Sequence, residues 1–173
     1  MNNYGELIDQ NTLQFKRVLP GKIERVWQYL IDPELRGKWF DSGAIDLNPQ
    51  GVMELNFHHQ SLAKEDDPIP EKFQGMKDGT QSSAVVLKVE EPTLLVINWE
   101  GGIVTFNLEQ VSESEVLLTL THERLKVSKD YRMGVLAGWH THLNILIDVL
   151  SNIEPKGFWR VYIPFETEYA QKL

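Results

Sequence analysis

The chain of 173 residues contains no cysteine, so it forms no disulfide and offers no thiolate as a nucleophile or metal ligand. It has no apolar run that approaches the roughly 20 residues needed to cross a bilayer. Residues 1–10 also lack the apolar core of a secretory signal. The net charge of −8 disfavours binding to nucleic acid or to anionic membrane surfaces. We therefore expect a cytoplasmic protein that binds neither.

The motifs of the common enzyme classes are missing as well. The sequence has no Walker loop, no Rossmann glycine pattern, no Gly-x-Ser-x-Gly elbow and no His-Glu-x-x-His helix. We expect no cofactor and assign no catalytic residue. These absences favour a function other than catalysis.

What the sequence does contain is a set of short segments in which apolar and polar residues alternate. A period of two indicates half-buried strands, and short turns between them indicate an antiparallel meander. These segments are residues 12–19, 84–90, 94–100, 103–110 and 116–123. Residues 44–57 add a hairpin around a turn at residues 48–51.

Two helical segments flank these strands. Apolar residues at helical spacing after Lys22 predict a short helix, which ends at Asp32, the N-cap of a further turn that starts at Pro33. Residues 128–153 predict one long amphipathic helix capped by Ser128. This helix has the apolar surface needed to cover a twisted sheet, but one helix cannot contact every part of the concave face of that sheet. The sequence therefore predicts an α+β fold with an apolar cavity.

Two further segments fit neither period. Residues 58–82 are polar and rich in turn residues, and they predict a loop insertion that acts as a lid or is slack. Residues 154–173 form an extension with too many aromatic side chains for a solvated end, so we expect it to be docked. The whole chain, 1–173, is predicted to be one domain with its core at 12–153.

Four segments, taken in order, resemble the START-like superfamily, and within it the activator of heat-shock protein 90 ATPase homologue family. They are PGKIERVWQYLIDPELRGKWF, DLNPQGVMELNF, VLKVEEPTLLVINWE and GWHTHLNILIDVL. The resemblance covers roughly residues 12–153. It implies a helix-grip fold, in which a curved antiparallel sheet wraps around a long C-terminal helix with a ligand cavity between them. It does not imply one shared reaction.

The predicted cavity lining consists of side chains on the apolar faces of the strands and of the long helix. His122 ends a strand on its apolar face, and His142 lies on the helix face that meets the sheet. Each of these residues has ordinary core packing as its alternative role. The predicted lining is His122, Trp139, Leu143, His142, Trp99 and Phe57, with Trp39 and Phe40 at the rim.

The remaining histidines do not predict a metal site. His140 and His142 are two residues apart, about 200° around a helix axis, so they cannot hold one ion and one of them is expected to face water. His58 and His59 would point to opposite faces of a strand.

Three functions remain open at this stage. The first is a binding module for a small, mainly hydrophobic molecule in the cavity. The second is a protein-interaction or chaperone-cofactor module, or a homodimer, which would use the loop and the aromatic extension as contact surfaces. The third, ranked last, is a cyclase, aromatase or hydrolase in which His122 acts as acid or base beside a carboxylate.

Overall fold

Seven antiparallel strands form one sheet in the computed structural model, which describes residues 2–173 and leaves Met1 outside the described residues. The strand order is β1-β2-β7-β6-β5-β4-β3. The strands are β1 (Glu6–Leu7), β2 (Leu13–Pro20), β3 (Val52–Phe57), β4 (Thr80–Glu90), β5 (Leu94–Trp99), β6 (Gly102–Ser112) and β7 (Glu115–Glu123). Strands β4 to β7 follow one another as a meander, and the expected α+β fold is confirmed.

Four helices accompany the sheet. They are α1 (Ile23–Ile31), α2 (Pro33–Arg36), α3 (Lys129–Leu150) and α4 (Phe158–Lys172). The predicted caps are confirmed, because the Asp32 carboxylate accepts hydrogen bonds from two backbone N–H groups of α2 and the Ser128 hydroxyl accepts one from Tyr131. Within residues 2–173, none of the helices combines the length and the apolar character of a bilayer-spanning segment.

The core lies between the inner face of the sheet and α3. Alternate residues of β6 and β7 point inward and are almost completely buried, as the period of two requires. The rings of Phe106 on β6 and Trp139 on α3 meet edge to face, with 5.8 Å between their centroids. The buried side chains shared by these elements include Val104, Phe106, Leu108, Leu118, Leu120, Leu136, Leu143 and Leu146.

The predicted hairpin over residues 44–57 is formed, although only its second limb is a regular strand. Its second limb is β3, whereas the first limb makes isolated bridges from Ser42 to Asn56 and from Ile45 to Met53. Backbone hydrogen bonds join Asp46 to Val52, Glu54 to Ala44 and Ser42 to Asn56 along the two limbs. In the turn, the Asp46 carboxylate accepts hydrogen bonds from the backbone and side-chain amides of Asn48.

The aromatic extension forms a helix, α4, which the sequence did not predict. Pro164 lies inside α4 and removes one helical hydrogen bond, so the usual helix signal is interrupted. The expected docking is observed, because α4 packs along α3. Tyr169 on α4 accepts a hydrogen bond from the Gly5 backbone at 2.8 Å.

Helix α4 also corrects the expectation that one of His140 and His142 faces water. Both histidines are buried. Phe165 of α4 stacks on the His140 ring with 3.6 Å between centroids, and the Tyr169 hydroxyl is 2.8 Å from His140 Nδ1. A face of α3 that would otherwise be solvated is therefore covered.

Candidate functional site

A cavity of about 340 Å³ lies between α3, the start of α4, the segment before β4 and the inner face of the sheet. Nine aromatic side chains and three histidines contribute to its wall. The aromatic side chains are Phe40, Phe57, Phe73, Trp99, Tyr131, Trp139, Phe158, Trp159 and Tyr162, and the histidines are His59, His122 and His142.

Six of the eight predicted lining residues lie in this wall, namely Phe40, Phe57, Trp99, His122, Trp139 and His142. Trp39 and Leu143 do not, and the prediction needs correcting for both. The Trp39 ring stacks behind Phe40 at 5.2 Å, and its indole donates to the Tyr29 carbonyl. Leu143 is completely buried in the core one turn beyond Trp139, so its side chain packs against other residues instead of bordering the void.

His122 is held on the inner face of β7 by the indole of Trp139. Trp139 Nε1 donates a hydrogen bond to His122 Nδ1 at 3.2 Å. Burial lowers the pKa of His122 to about 4, so the ring is neutral at physiological pH and its proton is on Nε2. Gly102 makes room for this ring, since a Cβ at that position would lie 2.5 Å from Nε2.

His142 is fixed in the opposite tautomer. Its Nδ1 is 2.7 Å from the Trp39 carbonyl oxygen, which can only accept, so Nδ1 carries the proton and Nε2 is an acceptor. Burial, together with the nearby His59, lowers the pKa of His142 to about 3. The two neutral histidines therefore present one donor and one acceptor nitrogen.

His59 was not predicted to line the cavity. It begins a 3-10 turn, His59–Leu62, and its ring stacks on Phe57 and packs 4.1 Å from the Phe158 centroid. Burial lowers its pKa to about 4. Within the described residues, no three His, Asp or Glu side chains lie close enough together to hold a metal ion.

Among the described residues, one carboxylate lines the cavity, and it lies at the mouth. Glu100 is exposed, and it has a left-handed backbone with φ of 51° in the tight turn between β5 and β6. Trp99 Nε1 donates to the Ser82 hydroxyl at 3.0 Å, and that hydroxyl donates to Glu100 Oε1 at 3.0 Å. The backbone and this chain of hydrogen bonds fix the carboxylate beside the opening.

The loop insertion and α4 together form one wall. The buried Asp67 carboxylate accepts hydrogen bonds from the backbone N–H groups of Trp159, at 2.8 Å, and Arg160, at 3.2 Å. It thereby caps α4 from a distant part of the chain. Gly157, with φ of 105°, allows the close approach, because a Cβ there would lie 2.8 Å from Asp67 Cγ. The loop is thus packed and contributes Phe73 and Met76 to the lining.

The sequence missed the lining residues of the loop and of α4 because neither segment shows a regular period. The high aromatic content of residues 154–173 indicated docking but not its place. Phe158, Trp159 and Tyr162 reach the cavity only because Asp67 caps α4 next to it.

A curved antiparallel sheet packed on a long helix over an aromatic cavity defines the START-like class of α+β folds. Residues 21–151 match the family described as Activator of Hsp90 ATPase homolog 1-like protein. The chain belongs to this family.

Solved structures share the fold. A protein of Bordetella parapertussis, determined by NMR, is 31% identical with a TM-score of 0.82, over 99% of this chain and 91% of that one. CalU16 from Micromonospora echinospora is 20% identical with a TM-score of 0.64, over 98% and 91%. The Aha1 dimer from Colwellia psychrerythraea is 16% identical with a TM-score of 0.60, over 80% and 95%. No curated protein matches this chain.

Proposed function

We propose that this protein binds a small, mainly hydrophobic molecule in the aromatic cavity. The observation that carries the proposal is the cavity itself, about 340 Å³ in volume and lined by nine aromatic side chains with few polar groups. Ligand sites commonly have this size and composition. Protein interiors are otherwise close-packed, with few voids larger than a water molecule.

Gly138 provides the sharpest test because it lines the cavity and no neighbouring heavy atom lies within 4 Å of the position of its Cβ. A side chain added there projects into the void without displacing the wall. A series of Gly138→Ala, Gly138→Leu and Gly138→Phe therefore fills the cavity in steps.

The measurement is the rise in melting temperature of each variant when a library of hydrophobic compounds is added. Compounds that stabilise the wild type should stabilise Gly138→Ala, stabilise Gly138→Leu less, and leave Gly138→Phe unchanged. The proposal fails if no compound stabilises the wild type, or if Gly138→Phe responds as strongly as the wild type.

The protein-interaction alternative depended on two contact surfaces, the loop insertion and the aromatic extension, and the second is not exposed. It relied in part on the aromatic extension as a contact surface, but Phe158, Trp159, Tyr162 and Tyr169 are all buried within the chain itself. A surface that is already covered is not available to a partner.

The enzymatic alternative relied on His122 as an acid or base. With its pKa lowered to about 4 by burial, His122 holds no acidic proton to give near neutral pH and is a weak base. The neutral ring therefore supports a binding role for this residue more directly than a catalytic one.

A further inference from the structure

The polarity of the cavity indicates which ligands suit it, provided that the proposed binding function holds. His122 Nε2–H and His142 Nε2 have no hydrogen-bond partners among residues 2–173. Because the other nitrogen of each ring is already bonded, the tautomers are fixed. The two histidines thus present one donor and one acceptor to a ligand, and the indole N–H of Trp159, which has no hydrogen-bond partner among residues 2–173, is a further donor in the wall.

The charges of the lining are unfavourable for an acidic ligand. No lysine or arginine lines the cavity among the described residues, and the three lining histidines are neutral because burial lowers their pKa values. A carboxylate that entered would lose its hydration without gaining a cationic partner, which is strongly unfavourable in an apolar site.

Glu100 adds repulsion at the entrance. Its carboxylate is held beside the mouth by Ser82, which Trp99 orients in turn. The position is exposed, so solvent screens the charge and the contribution is modest. Both the interior and the entrance nevertheless act against anions.

The shape of the wall favours a flat molecule. Phe40 stacks on Trp139 with an interplanar angle of 26°, and Phe57 stacks on Trp99 with an angle of 20°. The Trp99 and His122 rings are also nearly parallel, at 15°. The two stacked pairs are nearly perpendicular to each other, with 83° between the Trp99 and Trp139 rings, so the wall offers both ring edges and the outer faces of the stacks to a planar aromatic ligand.

We propose that the cavity selects an uncharged, planar aromatic molecule with a hydrogen-bond acceptor for His122 and a donor for His142, and that it rejects carboxylates. Glu100 is a specificity-determining residue in this arrangement. The selectivity arises from the fixed tautomers, the absence of a basic lining residue and the carboxylate at the mouth.

The test compares two nearly isosteric probes by calorimetric titration: a hydroxynaphthyl methyl ketone, which is neutral, and the corresponding hydroxynaphthoic acid, which is anionic. The ketone should bind the wild type at least about tenfold more tightly than the acid. Glu100→Gln should narrow this ratio by about threefold, whereas Glu109→Gln, an exposed change of the same charge away from the cavity, should leave it unchanged.

His122→Phe keeps an aromatic ring but removes the donor, and it should weaken ketone binding by about fivefold. Its melting temperature without ligand checks that it is folded, and His122→Gln, which keeps a donor, should bind the ketone better than His122→Phe. Equal binding of the ketone and the acid to the wild type overturns the selectivity alone. If neither probe nor any library compound binds, the proposed function itself is wrong.

Discussion

Helix α3 has two buried sides that contain similar residues but differ in how these residues are packed. On the side that faces α4, His140 is in direct contact with Phe165, at 3.6 Å between ring centroids, and is hydrogen-bonded to Tyr169. On the other side, Trp139 and His142 belong to the wall of an open cavity. Aromatic residues and histidines alone therefore do not indicate a binding site; the space between them does.

Arg17 is a second difference between the two sides. It is only 1% exposed, its guanidinium carbon is 5.2 Å from the Phe15 ring centroid, and burial lowers its pKa to about 10. Among residues 2–173 it has no carboxylate partner. The packed side thus holds a buried cation without a carboxylate partner, whereas no lysine or arginine among residues 2–173 lines the cavity.

The largest expected effect is acid destabilisation, to which both sides of α3 contribute. The pKa values of His59 and His122 are lowered to about 4, and those of His140 and His142 to about 3, in each case chiefly by burial. Below pH 6.5 these histidines bind more protons in the unfolded chain than in the folded one. The free energy of unfolding therefore decreases as the pH is lowered. Each histidine contributes on the order of 2 kcal/mol between pH 7 and pH 5.

Asp41 acts in the opposite sense. Burial raises its pKa to about 6 despite the ion pair with Arg36, so the Asp41 carboxylate is protonated at a higher pH in the folded state than in the unfolded chain. Its protonation therefore adds on the order of 1 kcal/mol to the free energy of unfolding between pH 7 and pH 5. Urea unfolding at pH 7, 6 and 5 measures the combined effect of the four histidines and Asp41. The free energy of unfolding should decrease by several kcal/mol between pH 7 and pH 5. An unfolding free energy that stays constant down to pH 5 would contradict the buried, neutral histidines.

Tyr169→Ala tests the packed side of α3. Tyr169 is 1% exposed, and its hydroxyl bonds both Gly5 and His140, so its removal should lower the free energy of unfolding by about 3 to 5 kcal/mol. Tyr169→Phe, which loses only the hydroxyl, should cost about 1 to 3 kcal/mol. Ligand-induced changes in melting temperature should survive Tyr169→Phe, and their loss would show that the two sides are not separate.

The smallest expected effects are those of alanine substitutions at two glycines on the cavity side, which should change the free energy of unfolding in opposite directions. Gly138→Ala meets open space on α3 and should stabilise the protein by about 0.5 to 1 kcal/mol through helix propensity. Gly102→Ala should destabilise it, because the new Cβ collides with the His122 ring. Equilibrium unfolding distinguishes them, and a destabilised Gly138→Ala would mean that the space beside α3 is filled.

The regular elements were largely predictable, since their periods depend on burial of one face. Alternation along β7 was enough to place His122 on the inner face, and the stripe on α3 was enough to place Trp139 and His142. Sequence could not choose between Trp39 and Phe40, which lie side by side after α2, because no period applies there.

Packing between distant segments was beyond prediction for a different reason. Asp67 is a polar residue in an irregular loop, and its capping of α4 is a contact between residues separated by some 90 positions. The volume of the cavity depends on such contacts, and no local pattern in the sequence encodes it.

The most direct test of the account uses the indole N–H signals of the five tryptophans in an NMR titration with the neutral ketone. Trp99, Trp139 and Trp159 line the cavity, while Trp27 is buried outside the lining and serves as an internal control. The account predicts large shifts for the three lining indoles and little change for Trp27. Saturable binding that shifts Trp27 and leaves Trp99 and Trp139 unmoved would contradict it.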